Sequence, residues 1–144
     1  MIVRKILDGK PTHQIIMVKP ADSVSAAAAL LASHRIGAVI VSADGKGVDG
    51  ILSERDIVRA LGTLGAGCMD QSASELMTAN VIGCTPDDNT NSVLEKMTEG
   101  RFRHMPVVED GKMIGLVTLG DLVKAQLSEL AMEKQALEGM IMGH

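Results

Sequence analysis

Aromatic side chains are almost missing from this chain of 144 residues, which holds one Phe, no Tyr and no Trp. That excludes the aromatic platforms on which single-stranded nucleic acid stacks, and ten methionines are left to fill gaps that aromatics fill elsewhere. Cysteine is scarce too. Cys68 and Cys84 are too few for a disulfide scaffold and lack CxxC spacing, so they read as a pair of buried or half-exposed thiols. There is no excess of basic charge: the net charge is −4, which gives no general attraction for nucleic acid, so any anion site must be local. No apolar run approaches the roughly 20 residues of a membrane span, and no membrane role is expected. The first residues, MIVRKILDGKP, set charges inside an apolar stretch, unlike a secretory signal. The expected location is the cytoplasm. Hydrophobic residues at 46% and charged residues at 22% are ordinary for a globular protein, and the length suits one compact domain or two small ones that share a core.

What is present is a duplication. GILSERD at residues 50–56 returns as GLVTLGD at residues 115–121. Pro20 and Asp22 align with Pro86 and Asp88 at an offset of 66, as does Arg35 with Arg101, and the offset falls to 65 at Gly50/Gly115 and Asp56/Asp121 after a turn that tolerates the lost residue. Each half reads alike: a short strand (QIIMV; NVIGC), a helix (SVSAAAALLASHR; TNSVLEKMTEG), a buried strand (GAVIVS; HMPVVE), a hairpin, a second strand (GILS; GLVT) and a closing helix. Asp22 or Ser23, and Asp88 or Asn89, are placed to cap the first helix of each half, and the continuously apolar strands predict coverage on both faces. Between the halves, GTLGAGCMDQSAS predicts a flexible Gly-rich linker, followed by ELMTAN, which echoes KILDGK near the N-terminus. Neither half reaches the size at which one core suffices, so the two are expected to fold as one pseudo-twofold α/β unit of the α+β type. The expected division is a first repeat with its N-terminal segment over 1–66, a linker and leading helix over 67–78, a second repeat over 79–128 and a C-terminal helical extension over 129–144. That extension carries apolar residues at near-heptad spacing (Val123, Leu127, Leu130, Leu137, Ile141), a pattern that suits either the domain's own core or, preferably, a partner subunit.

Several chemistries are absent. The literal GxGxxG of Gly45, Gly47 and Gly50 lies between two strands rather than ahead of a helix, which marks a hairpin and not a phosphate loop. His13, His34, His104 and His144 show no metal-ligand spacing, and neither cysteine neighbours one, so no metal is expected. No nucleophile elbow or adjacent base is visible, and the duplicated carboxylates suggest two equivalent sites rather than an acid/base pair, so the chain is not expected to be an enzyme. What remains is the repeated junction of strand and helix. A helix N-terminus favours anions; Ser53 and Thr118 can donate to a phosphate, and Asp56 and Asp121, acceptors only, can take a pair of sugar hydroxyls. For either copy taken alone, helix capping with a first-turn acid is the favoured account of these residues, and duplication by itself does not alter that, since a duplicated fold also duplicates its caps. The basic cluster of Arg101, Arg103 and His104 adds a local anion site. The first half has Gly37 and Ala38 where the second has Arg103 and His104, an asymmetry that predicts two unequal sites.

Taken together, ELMT before the first strand, Pro-x-Asp before the helix, RHMPVV, and Gly-aliphatic-aliphatic-Ser/Thr-x-x-Asp in both halves resemble a tandem pair of CBS domains of the stand-alone bacterial form. The resemblance covers nearly the whole chain. It implies two pseudo-twofold-related β-α-β-β-α repeats packed sheet to sheet, a long C-terminal helix, no catalysis, and a cleft that binds adenosine nucleotides: AMP first, with ADP, ATP or NAD as alternatives and S-adenosylmethionine in some members. By position it implies that Asp56 and Asp121 hold ribose hydroxyls with Ser53 and Thr118 near the phosphate, that Arg103 and His104 reach phosphate in the cleft containing Asp56, and that Arg55 belongs to the same site. Adenine is expected between Ile16, Val18 and Ile36 on one side and Val81, Met105 and Pro106 on the other. The resemblance further implies a homodimer, a regulated protein partner of unknown identity, and a role as a sensor of energy or redox state; the alternative is a structural protein that acts through dimerisation.

Overall fold

The computed structural model describes residues 1–10 and 15–141. His13, His144 and the first residue of QIIMV lie outside the described residues. Helix α1 (Val3–Asp8) leads to strand β1 (Met17–Val18), helix α2 (Val24–His34), strands β2 (Ala38–Val41) and β3 (Gly50–Ser53), and helix α3 (Glu54–Leu64). A 3-10 turn over Ala66–Asp70 and helix α4 (Ala73–Leu76) follow; the second half then has helix α5 (Thr90–Gly100), strands β4 (His104–Glu109) and β5 (Lys112–Thr118), and helix α6 (Leu119–Ile141). One sheet has the order β1-β2-β3, with β1 parallel and β3 antiparallel to β2; the other pairs β4 with β5 antiparallel.

Strand alternation builds the layers. Val39 and Val41 face a core under α2 and α3 with Val24, Leu31 and Ile57, while Ala38 and Ile40 face the opposite sheet with Met17, Val81 and Leu116. Met105, Val107 and Val117 face a third core under α5 and α6 with Val93, Met97 and Leu122. Two sheets thus pack face to face with helices outside.

Two expectations are corrected. The stretch NVIGC is not a second parallel strand; Cys84 alone bridges to Val107. In the first half Ile40 N–H donates to Ile16 C=O at 3.1 Å and Ser42 N–H to Val18 C=O at 2.9 Å. The second half keeps the equivalent of the latter, Val108 N–H to Cys84 C=O at 2.8 Å. At the position equivalent to Ile40 stands Pro106, which has no N–H to give, and the ladder stops there. The stretch expected to be a flexible linker is ordered as the end of α3, which runs through Gly62, the 3-10 turn, which buries Cys68, and α4.

The division of the chain into 1–66 and 79–128 is crossed by the leading helices. Helix α1 docks on the second half: Val3 N–H donates to Asp88 C=O and Arg4 N–H to Pro86 C=O, and Val3 and Leu7 sit in the second half's core. Helix α4 makes the equivalent bonds to the first half, from Ala73 N–H to Asp22 C=O and Ser74 N–H to Pro20 C=O, and Ala73 joins that core. Each half is completed by a helix from the other. The glycines of the duplicated motif make the room: a Cβ at Gly115 would come within 2.6 Å of Leu7 Cδ2, and one at Gly50 would meet the Met77 side chain and lie 2.9 Å from Thr78 O.

Candidate functional site

The duplicated junctions form two capping boxes. Ser53 caps α3: its Oγ accepts from Asp56 N–H at 3.2 Å, and Asp56 Oδ2 accepts from Ser53 N–H at 2.9 Å and from Ser53 Oγ at 3.0 Å. At the head of α6, Thr118 Oγ1 accepts from Asp121 N–H at 3.1 Å, and Asp121 Oδ2 accepts from Thr118 N–H at 2.9 Å. Capping is therefore what these residues do within the chain. It occupies Oδ2 of each carboxylate; among the described residues Oδ1 accepts no hydrogen bond, and at Asp56 it lies 3.8 Å from Arg59 Nη1. The two strand ends are tied in the same way, by Glu54 N–H to Gly37 C=O and Leu119 N–H to Arg103 C=O, both at 2.9 Å.

A cavity opens at each box. The smaller, about 350 Å³, is lined by Ser53, Arg55, Asp56 and Val81 together with Arg103 and His104 of the other half. The larger, about 710 Å³, is lined by Thr118 and Asp121 together with Ile16, Ile36, Gly37 and Ala38. Both volumes suit a small-molecule ligand. The sites are unequal, as the Gly37/Arg103 and Ala38/His104 differences imply. The adenine walls expected from the resemblance are divided, however: Ile16 and Ile36 stand at the larger cavity and Val81 at the smaller. Val18, Met105 and Pro106 line neither, because alternation turns Val18 and Met105 into the helix-covered cores while Pro106 is buried between the sheets.

Other lining residues were legible only in part. Phe102, the chain's one aromatic, lines the smaller cavity beside Arg101 and Arg59; its place inside GRFRHMPVV was the available signal. His104 lines the larger cavity as well, but Arg103 does not, and this cavity draws its other cations from Lys5, Lys10, Arg35 and Lys124. Lys10 Nζ lies 2.9 Å from Asp121 Oδ2 and donates to Leu116 C=O at 2.7 Å. In the echo of KILDGK by ELMTAN, Lys10 corresponds to Asn80, so this charge has no counterpart at Asp56. Arg35 and Arg101 close α2 and α5 in the left-handed conformation, φ 54° and 56°, and each stands at its own half's equivalent rim.

His104 is half-buried, and burial is the main cause that holds its pKa below the ordinary histidine value, with Arg103 acting the same way and Glu54 opposing. Gly45, Gly47 and Gly50 of the GxGxxG pattern line neither cavity; the turn is organised by Asp44, whose Oδ1 accepts from Lys46 and Gly47 N–H at 2.8 and 2.9 Å. Among the described residues, no helix is long and apolar enough to cross a membrane.

Comparison with known proteins places this arrangement. The CBS domain family matches residues 3–63 and 73–128, which includes both leading helices. A CBS-domain-containing protein from Agrobacterium tumefaciens, of known crystal structure, is 44% identical and superposes with a TM-score of 0.83 over 88% of this chain and 99% of that one. A mitochondrial CBS-domain-containing protein of Arabidopsis thaliana is 33% identical over 126 residues; the match takes in 85% of this chain but 61% of the relative. A CBS domain pair solved in complex with 5′-methylthioadenosine and S-adenosyl-L-methionine is 27% identical, with a TM-score of 0.77 over 90% of this chain and 98% of that one.

Proposed function

The chain belongs to the CBS domain family, and from that premise we propose that it is a non-catalytic regulatory module that binds an adenosine-containing nucleotide, AMP foremost, in the cleft between its halves. One observation carries the reading: each capping box uses one carboxylate oxygen for the helix and leaves the other beside a cation-lined cavity. A ribose needs an acceptor for its hydroxyls and a phosphate needs donors and positive charge. At the smaller cavity, Asp56 Oδ1 takes the ribose, Ser53, Arg103 and His104 face the phosphate, and Val81 and Phe102 offer the base an apolar wall. At the larger, Asp121, Thr118 and Lys10 play the corresponding parts, with Ile16 and Ile36 beside the base. The pair crystallised with two adenosine compounds supports adenosine as the shared ligand chemistry. ATP and NAD are the alternatives to AMP at the same contacts.

We assign the readout to protein contact in the cytoplasm. Helix α6 carries Leu127, Leu130, Leu137 and Ile141 exposed, and α3 carries Val58, Leu61 and Leu64 exposed. A second copy of the chain covers this surface, and a regulated protein receives the signal. The competing reading, an interaction protein without a nucleotide, is favoured by the same exposed helix. Calorimetric titration of the purified chain with AMP, GMP and inorganic phosphate separates the two. Saturable binding of AMP, stronger than that of GMP or phosphate, supports the nucleotide reading; no binding of AMP, ATP or NAD at millimolar concentration overturns it in favour of the interaction protein.

A further inference from the structure

His104 and Gly37 line both cavities. In β4, His104 is paired directly with Thr118, the capping residue of the larger cavity. Its ring lies over Gly37: a Cβ built there would sit 3.2 Å from both Cε1 and Nε2 of the imidazole and 3.7 Å from Glu54 Oε1. Gly37 in turn accepts from Glu54 N–H, the first residue of the helix that Ser53 caps. One side chain therefore joins the two capping boxes, its backbone held to one and its ring resting on the other. The equivalent position in the first half is Ala38, so the link exists once and lies off the pseudo-twofold symmetry.

The charged groups that act on the ring come from both sites: Glu54 of α3 and Arg103 just ahead of β4 on the smaller cavity, Asp121 of α6 and Lys10 beyond α1 on the larger. Burial favours the neutral imidazole, which carries one N–H donor and one lone pair. A neutral ring that donates to a phosphate on one side presents its lone pair to the other.

We propose that His104 makes the two cavities antagonistic toward phosphate-bearing ligands, so that a nucleotide in one weakens a nucleotide in the other. This rests on the nucleotide reading above and adds to it a preference for one phosphorylated ligand per chain. An uncharged adenosine compound needs no donor from His104 and fits beside a nucleotide without this penalty.

The test is a binding cycle with AMP on the full chain at pH 8. Asp56→Ala and Asp121→Ala each leave one working cavity and give its single-site dissociation constant. In the wild-type chain, the product of the two dissociation constants is expected to exceed the product of the single-site constants by about tenfold, within the usual range of coupling between sites. In the His104→Ala background the ratio is expected to fall to about one; Ala at this position is what the first half already carries, and thermal unfolding checks the fold. Gly37→Ala, which displaces the ring without removing it, is an independent second variant and is expected to reduce the ratio. Adenosine in place of AMP is expected to give a ratio of about one in the wild-type chain. A ratio of one with AMP in the wild type, a ratio that survives His104→Ala, or an equal ratio with adenosine overturns the antagonism while leaving the nucleotide reading standing. No binding of AMP by any variant or the wild type overturns both.

Discussion

Asp56→Asn separates the two duties of the carboxylate. Ser53 N–H, 2.9 Å from Oδ2, demands an acceptor. In the variant the amide oxygen meets that demand, so the cap persists and stability changes by less than about 1 kcal/mol, the usual value of a cap. The NH2 group then turns to the cavity, where Oδ1 stood. It donates but cannot accept, so the ribose hydroxyls lose their acceptor. A hydrogen bond to a charged group contributes ~1.5–3 kcal/mol, and each ~1.4 kcal/mol is a factor of ten; AMP affinity at this cavity is therefore expected to fall about 10- to 140-fold. Calorimetry with AMP measures the loss, thermal unfolding verifies the cap, and 2′,3′-dideoxyadenosine monophosphate supplies the control. That analogue is expected to bind the wild type weakly and to be indifferent to the substitution. An equal loss for both ligands, or none for AMP, refutes the assignment of Asp56 to the ribose.

Four further outcomes are expected. Gly50→Ala drives a methyl group against Met77 and the Thr78 carbonyl, which bonds Ile51 N–H at 3.0 Å; overpacking of this kind costs about 1–3 kcal/mol, read by urea unfolding. Arg101→Gly relieves a left-handed, non-glycine helix end at φ 56° and, after the added freedom of glycine in the unfolded chain, changes stability by less than about 1 kcal/mol while weakening AMP binding at the smaller cavity; unchanged affinity removes Arg101 from the site. Removing residues 131–144 leaves the contact of Glu129 with the N-terminal amine at 2.8 Å and buried Leu122 and Ala125 in place, so the fold is expected to persist and self-association, read by light scattering with sedimentation, to be lost. Burial pushes the Cys84 thiol up to about 11, so the native protein is expected to resist a thiol reagent at pH 8 at this residue and to react after unfolding.

The order of the elements was legible because their signals are local: Asn89 caps α5, and that helix spans the TNSVLEKMTEG that the pattern marks. The shortened strand at NVIGC was not, because its length depends on a partner more than twenty residues away whose proline withholds a single N–H. The exchange of leading helices was equally hidden. The echo between KILDGK and ELMTAN is visible in the sequence, but which half each segment completes is decided by the cavities over Gly50 and Gly115. Duplication and charge clustering single out Asp56, Ser53, Arg103 and His104, but it is the resemblance that puts them in one site. Lys10 escaped because its importance lies in a contact with Asp121, 111 positions away by difference of their numbers. The resemblance sets Val18 and Met105 beside the ligand, whereas they face the helix-covered cores; an apolar residue in a short strand reads alike on either face, and only the sheet's orientation tells core from cleft.

With no Tyr or Trp to absorb at 280 nm, the near-ultraviolet spectrum of the purified chain is almost blank until a nucleotide is added. Equilibrium dialysis against AMP, followed by the absorbance at 260 nm that the protein retains and releases on denaturation, counts bound nucleotide directly. Retained absorbance at 260 nm that saturates with AMP, identified by mass as AMP and diminished in Asp56→Asn, is the expected result. A spectrum that stays blank with AMP, ATP and NAD alike would contradict the nucleotide reading.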